Sequence, residues 1–373
     1  MRAVAPAPRA SFAPPRRAGS PRGRPSSRVA ASGSSSRASF ASTRATPSSS
    51  ADPDPASSPS PSPRSVAFEY LGGNGWRLAF PRTGATILCD PWLVGDLTFW
   101  NLPQLYVGRK DPPRGGGGGG GGASSSAETS FAAELAEACD VLLLSQGWDD
   151  HAHRPTLRAI RKDIPVVASP SAVEVARRLG FERVVALRAD AEIVRPVPGV
   201  AVRAVAGALV GPPWSEREAG FIVTEHFGDD AEKKTKTPRS PRPRPVSVYY
   251  EPHCSHDASS VRRGVRGLPG RRADVAVVPV DSVRAAGFPL VNGGEATAEL
   301  LELLGFPEVV VPLKNGRLEQ AGAAAPIVAA SVGGARELPG RMEMRGWGGR
   351  TPRVEDVEAG EEVTIRLADD HEA

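Results

Sequence analysis

The stretch Val141-Leu142-Leu143-Leu144-Ser145-Gln146-Gly147-Trp148-Asp149-Asp150-His151-Ala152-His153 decides the reading of this 373-residue chain. Its four leading apolar residues have the form of a strand buried on both faces. The polar run behind them then sits at the C-terminal end of that strand, where open sheets place their sites. Two residues apart in extended chain, His151 and His153 project to one side and could grip one ion. A second group repeats the form: after Val246-Ser247-Val248-Tyr249-Tyr250 come Glu251, His253 and His256. With His226, five of the chain's six His lie in or beside these two clusters.

Working outward, the pattern around the first cluster alternates strand and helix. Upstream, Val66–Leu71, a Gly72-Gly73-Asn74-Gly75 turn, Trp76–Phe80 and Thr86–Asp90 read as a short antiparallel start. Downstream, Thr156–Lys162 reads as a short helix and Val166–Ala168 as the next strand. Ser171 and Glu174 then have capping-box spacing, at the start of a helix that Gly180 ends. Val184–Leu187 follows as a strand. Hairpin strands fill about 193–250. Asp274–Pro279, a helix over Glu295–Leu304 closed by Gly305, and Glu308–Leu313 complete another strand-helix-strand unit. Hairpins and strand-helix units in one chain imply a mixed fold, α+β or α/β, of two sheets with helices outside.

Three segments stand apart from this body. Residues 1–64 hold ten Arg, no Lys, and only Asp52 and Asp54 as acids, among many Ser, Ala and Pro. Such a composition cannot bury enough surface to offset its ordering entropy, so 1–64 is expected to be a disordered transit peptide and linker. It lacks the apolar core of a secretory signal, and its Ser- and Arg-rich, acid-poor character suits import into the chloroplast stroma better than into the mitochondrion. Residues 108–129, with eight consecutive Gly, and 228–245, with a run of Lys, Arg and Pro, read as low-complexity insertions. Residues 369–373 are a tail, which leaves 65–368 as one domain.

Charge excludes one class of partner. The chain carries 46 Lys and Arg against 42 Asp and Glu, a net +4. Without residues 1–64 the balance is 36 basic against 40 acidic, so the domain is mildly acidic and no nucleic-acid partner is expected. No apolar run is long enough for a transmembrane segment. Three Cys make a disulfide framework implausible.

The Thr86-Ile87-Leu88-Cys89-Asp90-Pro91-Trp92-Leu93 segment, the Val141–His151 segment and the order of elements around them resemble the metallo-beta-lactamase fold, most closely its sugar-lactone-hydrolase-like branch of plants and cyanobacteria. The resemblance covers about residues 65–368. It implies a four-layer αββα sandwich with a metal site along the shared upper edge of two sheets. The family's His-x-His-x-Asp-His motif, aligned on Asp150 and His151, puts Gln146 and Trp148 where the two leading His belong. The later single-His position falls near Gly207-Ala208, the bridging-Asp position on Glu251, and the last His position near Leu313-Lys314.

Half of the usual dinuclear zinc site is therefore missing. A hydrolytic ion needs about three protein ligands and an open position. The residues at hand allow one divalent ion, Zn, Mn or Fe, on Asp150, His151, Glu251 and His253, with His153 as an additional ligand or a partner behind the ligands, and Asp90 orienting one of them. Asp150 is the candidate catalytic residue, and no organic cofactor is expected. Trp148 and Trp214 read more simply as buried rings than as pocket walls. Cys254 reads as a small buried hydrophobe, and Ser145 lacks the Gly-x-Ser-x-Gly elbow of a nucleophile. Two functions follow: a metal-dependent hydrolase of an ester, lactone, thioester or phosphodiester, or a non-catalytic binding or assembly protein in which Asp150 and His151 survive as a hydrogen-bonded pair. The small-molecule substrate or protein partner is left unnamed by the sequence.

Overall fold

A computed structural model of the chain describes residues 63–110, 126–210, 214–228, 244–347 and 351–368. Residues 1–62, the Gly-rich run, the Lys- and Arg-rich run and the C-terminal tail lie outside the described residues, and so do most of the segments read from composition as transit peptide and insertions. The first insertion is narrower than its composition suggests. Val107–Arg109 is a strand paired with Glu319–Ala321, and a helix already begins at Ser126. Arg64, grouped by composition with the leader, is buried and donates to Asp274 (2.7 Å) and to the Ala368 carbonyl (2.7 Å).

Two sheets form the centre. From edge to edge the first runs Glu362–Arg366, Ser65–Gly72, Gly75–Phe80, Ala85–Cys89, Val141–Leu144, Val166–Ala168, Val184–Ala186. The second runs Arg353–Val354, Val309–Leu313, Val275–Pro279, Ser247–Tyr250, Ala219–His226, Gly199–Ala206. Pairing is antiparallel in the opening hairpins and parallel once helices intervene, as short turns and long crossovers require.

Strand alternation sorts the core into three layers. Phe68, Leu78, Ile87 and Leu143 of the first sheet meet Val202, Phe221, Val248 and Val277 of the second in the inner core. Their neighbours one residue along, such as Leu88, Leu142 and Leu144, face outward and are covered by the helices Ser126–Glu137, Arg154–Ala159 and Pro170–Arg178. Ile222, Tyr249, Ala276 and Val310 are covered in the same way by Ala258–Arg266, Glu295–Leu303 and Gly334–Met344. The expected four-layer αββα sandwich is what these residues build.

The capping box is a correction. Helix Pro170–Arg178 is capped by Ser169, whose oxygen accepts from the Ala172 amide, because Pro170 fits the first helical position and moves the start back by two residues. Ser171 instead donates to Glu218 (2.7 Å) and accepts from the Gly147 amide (2.9 Å). That contact ties the loop after Leu144 to the rest of the site edge.

Candidate functional site

Ala85–Cys89, Val141–Leu144, Ser247–Tyr250 and Val309–Leu313 all end on one edge of the sandwich. Asp90, Ser145, Glu251 and Lys314 follow them directly. Asp90 is fully buried and collects three side chains: the Ser145 hydroxyl, the Tyr250 hydroxyl (2.7 Å) and His151 Nδ1 (2.8 Å). Its other oxygen accepts from the Ser145 amide at 2.8 Å. A buried carboxylate is tolerable only when its lone pairs are filled in this way.

Because Nδ1 of His151 is engaged, only Nε2 faces outward, 3.4 Å from Asp150 Oδ2 and 3.3 Å from the Asn74 amide nitrogen. Burial works to lower the pKa of His151, but Asp150 and Asp90 on its two sides outweigh it and raise the pKa to about 10. Burial would raise the Asp150 carboxyl, and the neighbouring His151 and His253 bring it down to about 2 instead.

The second cluster reaches the same edge. The rings of His151 and His253 are 5.2 Å apart, centre to centre. His253 Nδ1 accepts from the Gln146 amide at 2.9 Å, so the neutral ring carries its proton on Nε2 and offers no lone pair there. Burial, and then the charge of His151, holds its pKa near 3. Glu251 lies beneath, fully buried and turned into its own loop, where it accepts from the His253 and Ser255 amides (both 3.2 Å). Burial pushes its pKa up to about 7 against those two bonds.

The expected five-ligand set is therefore not assembled. His153 turns away to Thr156 Oγ1 (3.0 Å) and packs beside Trp92, and burial lowers its pKa to about 3. His153 caps the helix Arg154–Ala159 rather than extending the strand, so the alternation argument that paired it with His151 does not apply. Among the described residues, no three His, Cys, Asp or Glu side chains are grouped to hold a metal ion. Among the described residues of the two clusters, only Asp150 Oδ2 and His151 Nε2 face a common place, 3.4 Å apart, and an ion there would have to displace the His151 proton, so two donors fall short of the three a resident ion needs. At the positions where the resemblance calls for later His, Ala208 lines a cavity and Lys314 pairs with Asp356 and Glu358. His226 ends an antiparallel strand whose C-terminus lies at the opposite edge, and His256 is half-buried beyond the Glu251 loop.

Two functional side chains come from places the sequence did not single out. Asn74, in the Gly72–Gly75 turn, reaches Asp150 and His151, and its Oδ1 accepts from Asn315 at 3.1 Å. Asn315 also donates to the Pro252 carbonyl (2.8 Å), fastening both sheets together at this edge. Asn315 carried a usable signal, since it lies two residues past a buried strand.

The polar cluster forms one end of a cavity of about 660 Å³. Its walls are large and apolar, with Trp92, Phe99, Trp100, Tyr106 and Trp148 prominent, and Asn74, Asp150, His253 and Asn315 among its polar lining. Trp148 packs edge-on against Trp100 (6.0 Å) as a wall rather than a core residue, and Trp214 is exposed, so the burial expected of both is corrected. Cys254 is buried, with its thiol against the Pro279 carbonyl.

Residues 67–314 match the family model described as beta-lactamase superfamily domain. A possible metal-dependent hydrolase from Veillonella parvula superposes with a TM-score of 0.50 at 14% identity, over 82% of this chain and 100% of that one. Igni18, a metallo hydrolase from the archaeon Ignicoccus hospitalis, gives 0.49 at 15% identity over 82% and 100%. An isothiocyanate hydrolase from Delia radicum gut bacteria gives 0.48 at 14% identity over 81% and 100%. No functionally curated protein matches the sequence.

Proposed function

The chain belongs to the beta-lactamase superfamily domain family, and on that premise we propose that it binds an apolar small molecule in the chloroplast stroma, using a hydrolase-like fold without a resident metal centre. The observation that carries this reading is the cavity: about 660 Å³ with aromatic walls and a few convergent polar groups at one end, which is the form of a small-molecule site. His253, whose proton sits on Nε2, supplies a donor for a carbonyl or hydroxyl on the ligand, while Asn74 and Asn315 are held in bonds to Asp150, Pro252 and each other. The Asp90-His151 pair holds the polar end rigid.

A second reading is favoured by one distance. Asp150 Oδ2 and His151 Nε2 are 3.4 Å apart, a separation that two ligands of one ion adopt. On this reading a Zn, Mn or Fe ion is taken weakly from solution by Asp150 and His151, and the activity is hydrolysis of an ester, lactone, thioester or phosphodiester.

The binding reading is tested by titrating the full-length protein with Nile red, an apolar dye that brightens on leaving water. Saturable one-to-one binding is expected, and Trp148→Ala should weaken it about tenfold by removing one wall. Absence of saturable binding in the wild type would refute the reading. Localisation rests on composition alone and is tested by fusing residues 1–64 to a fluorescent protein. Stromal fluorescence in leaf cells is expected, and a cytosolic or nuclear signal would overturn it.

A further inference from the structure

The segments that wall the cavity have a second property. Residues 99–106, 283–292 and 320–333 each contribute to the lining, through Phe99 and Tyr106, Val283 and Leu290, and Ala324 and Val328 respectively. Across these 32 residues there is one charged side chain, Arg284, whereas 24% of the whole chain is charged. The same segments turn large apolar side chains outward: Trp100 is 63% exposed, Phe288 74%, Ile327 53% and Val332 76%. Their backbones hold together. Val283–Ala285 pairs with both Phe288–Val291 and Val328–Ala330, and Ala286 donates to the Ile327 carbonyl (2.8 Å). Trp100 and Leu290 belong to both surfaces, lining the cavity and facing solvent, so the apolar rim is continuous with the cavity interior.

We infer that this rim docks on the surface of a lipid bilayer and that the ligand is a membrane-dissolved amphiphile. Its chain or ring system occupies the aromatic cavity, and its carbonyl- or hydroxyl-bearing end meets the His253 Nε2–H at the polar end. The inference rests on the binding reading above and names the source of the ligand. A molecule apolar enough to fill these walls partitions into membranes rather than water, so its reservoir is a bilayer. A rim with a single charge enters the headgroup layer while stripping water from almost no ions, which is the main cost of membrane contact. An exposed Trp favours the membrane-water boundary, and Arg284 beside Phe288 suits a headgroup phosphate. A water-soluble protein partner would ordinarily be met with Arg and polar rim residues around an apolar centre, and these segments hold one such charge.

The test is co-sedimentation of the full-length protein with phosphatidylcholine vesicles, chosen zwitterionic so that the Arg-rich leader gains no electrostatic attraction. The wild type is expected to sediment with vesicles. The Phe288→Glu/Ile327→Glu double variant is expected to lose at least about tenfold in vesicle affinity while binding Nile red as before in vesicle-free buffer, since neither residue lines the cavity. Val332→Glu is a milder second variant with the same expected direction. Met344→Glu, at the far end of its helix and 82% exposed, should change neither readout. Wild-type protein that stays in the supernatant yet still saturates with Nile red would overturn membrane docking and leave the binding reading intact. Vesicle affinity unchanged in the double variant and in Val332→Glu would also overturn it. Loss of Nile red binding in the wild type would remove the reading beneath it.

Discussion

Asp90 is the residue on which the site edge depends. It sits at positive φ (41°) directly before Pro91, and its carboxylate accepts from Ser145, His151 and Tyr250, which come from both sheets. Asp90→Ala would remove the acceptor shared by four buried donors, of which the Tyr250 hydroxyl keeps another, the Asn74 carbonyl at 3.1 Å. The expected cost is about 3–5 kcal/mol of folding stability, read from urea midpoints, which is characteristic of breaking a buried charged network. A loss below about 1 kcal/mol would mean that water replaces the carboxylate, and the rigid role given to this network would fail. At this scale the sequence was partly readable. Asp150 and His151 stood out because they follow a buried strand directly. Asn74 did not, because an Asn within a Gly-rich turn satisfies every local rule for turn formation. Its partner Asn315 lies 241 positions away, and no short-range pattern encodes that meeting.

At the scale of elements, the apolar runs located nearly every central strand. Four-residue stretches such as Val141–Leu144 can be buried only by layers on both faces. Boundaries and caps were harder to read. Ser171 and Glu174 had capping-box spacing, yet Pro170 moved the helix start and left Ser171 free to bind Glu218. The helix layers also contain close contacts that no periodicity reveals. A Cβ on Gly264, in helix Ala258–Arg266, would lie 2.6 Å from Val205 Cγ1 and 2.8 Å from Ile222 Cδ1, so this helix rests almost directly on the second sheet. Gly264→Val should therefore push the helix off and lower stability by about 1–3 kcal/mol, visible as a reduced Tm. An unchanged Tm would show that the helix can slide outward at little cost.

The whole molecule separates a basic N-terminal segment, a scaffold and a site. Its net +4 arises from the first 64 residues, and the remaining 36 basic and 40 acidic residues leave a mildly acidic domain. The polar end of the cavity was legible in outline, because Asp150, His151 and His253 come together at one edge of the sandwich, while Glu251 turns into its own loop. The cavity itself was not, because its walls come from segments that are apolar without period, such as 99–106 and 320–333. The central claim is that a hydrogen-bonded network, and not a resident ion, closes this end of the cavity. It is tested most directly by the metal content of the full-length protein purified without chelator. The account predicts less than about one tenth of an equivalent of zinc, manganese and iron combined. About one equivalent in the wild type that disappears in His151→Ala would contradict it.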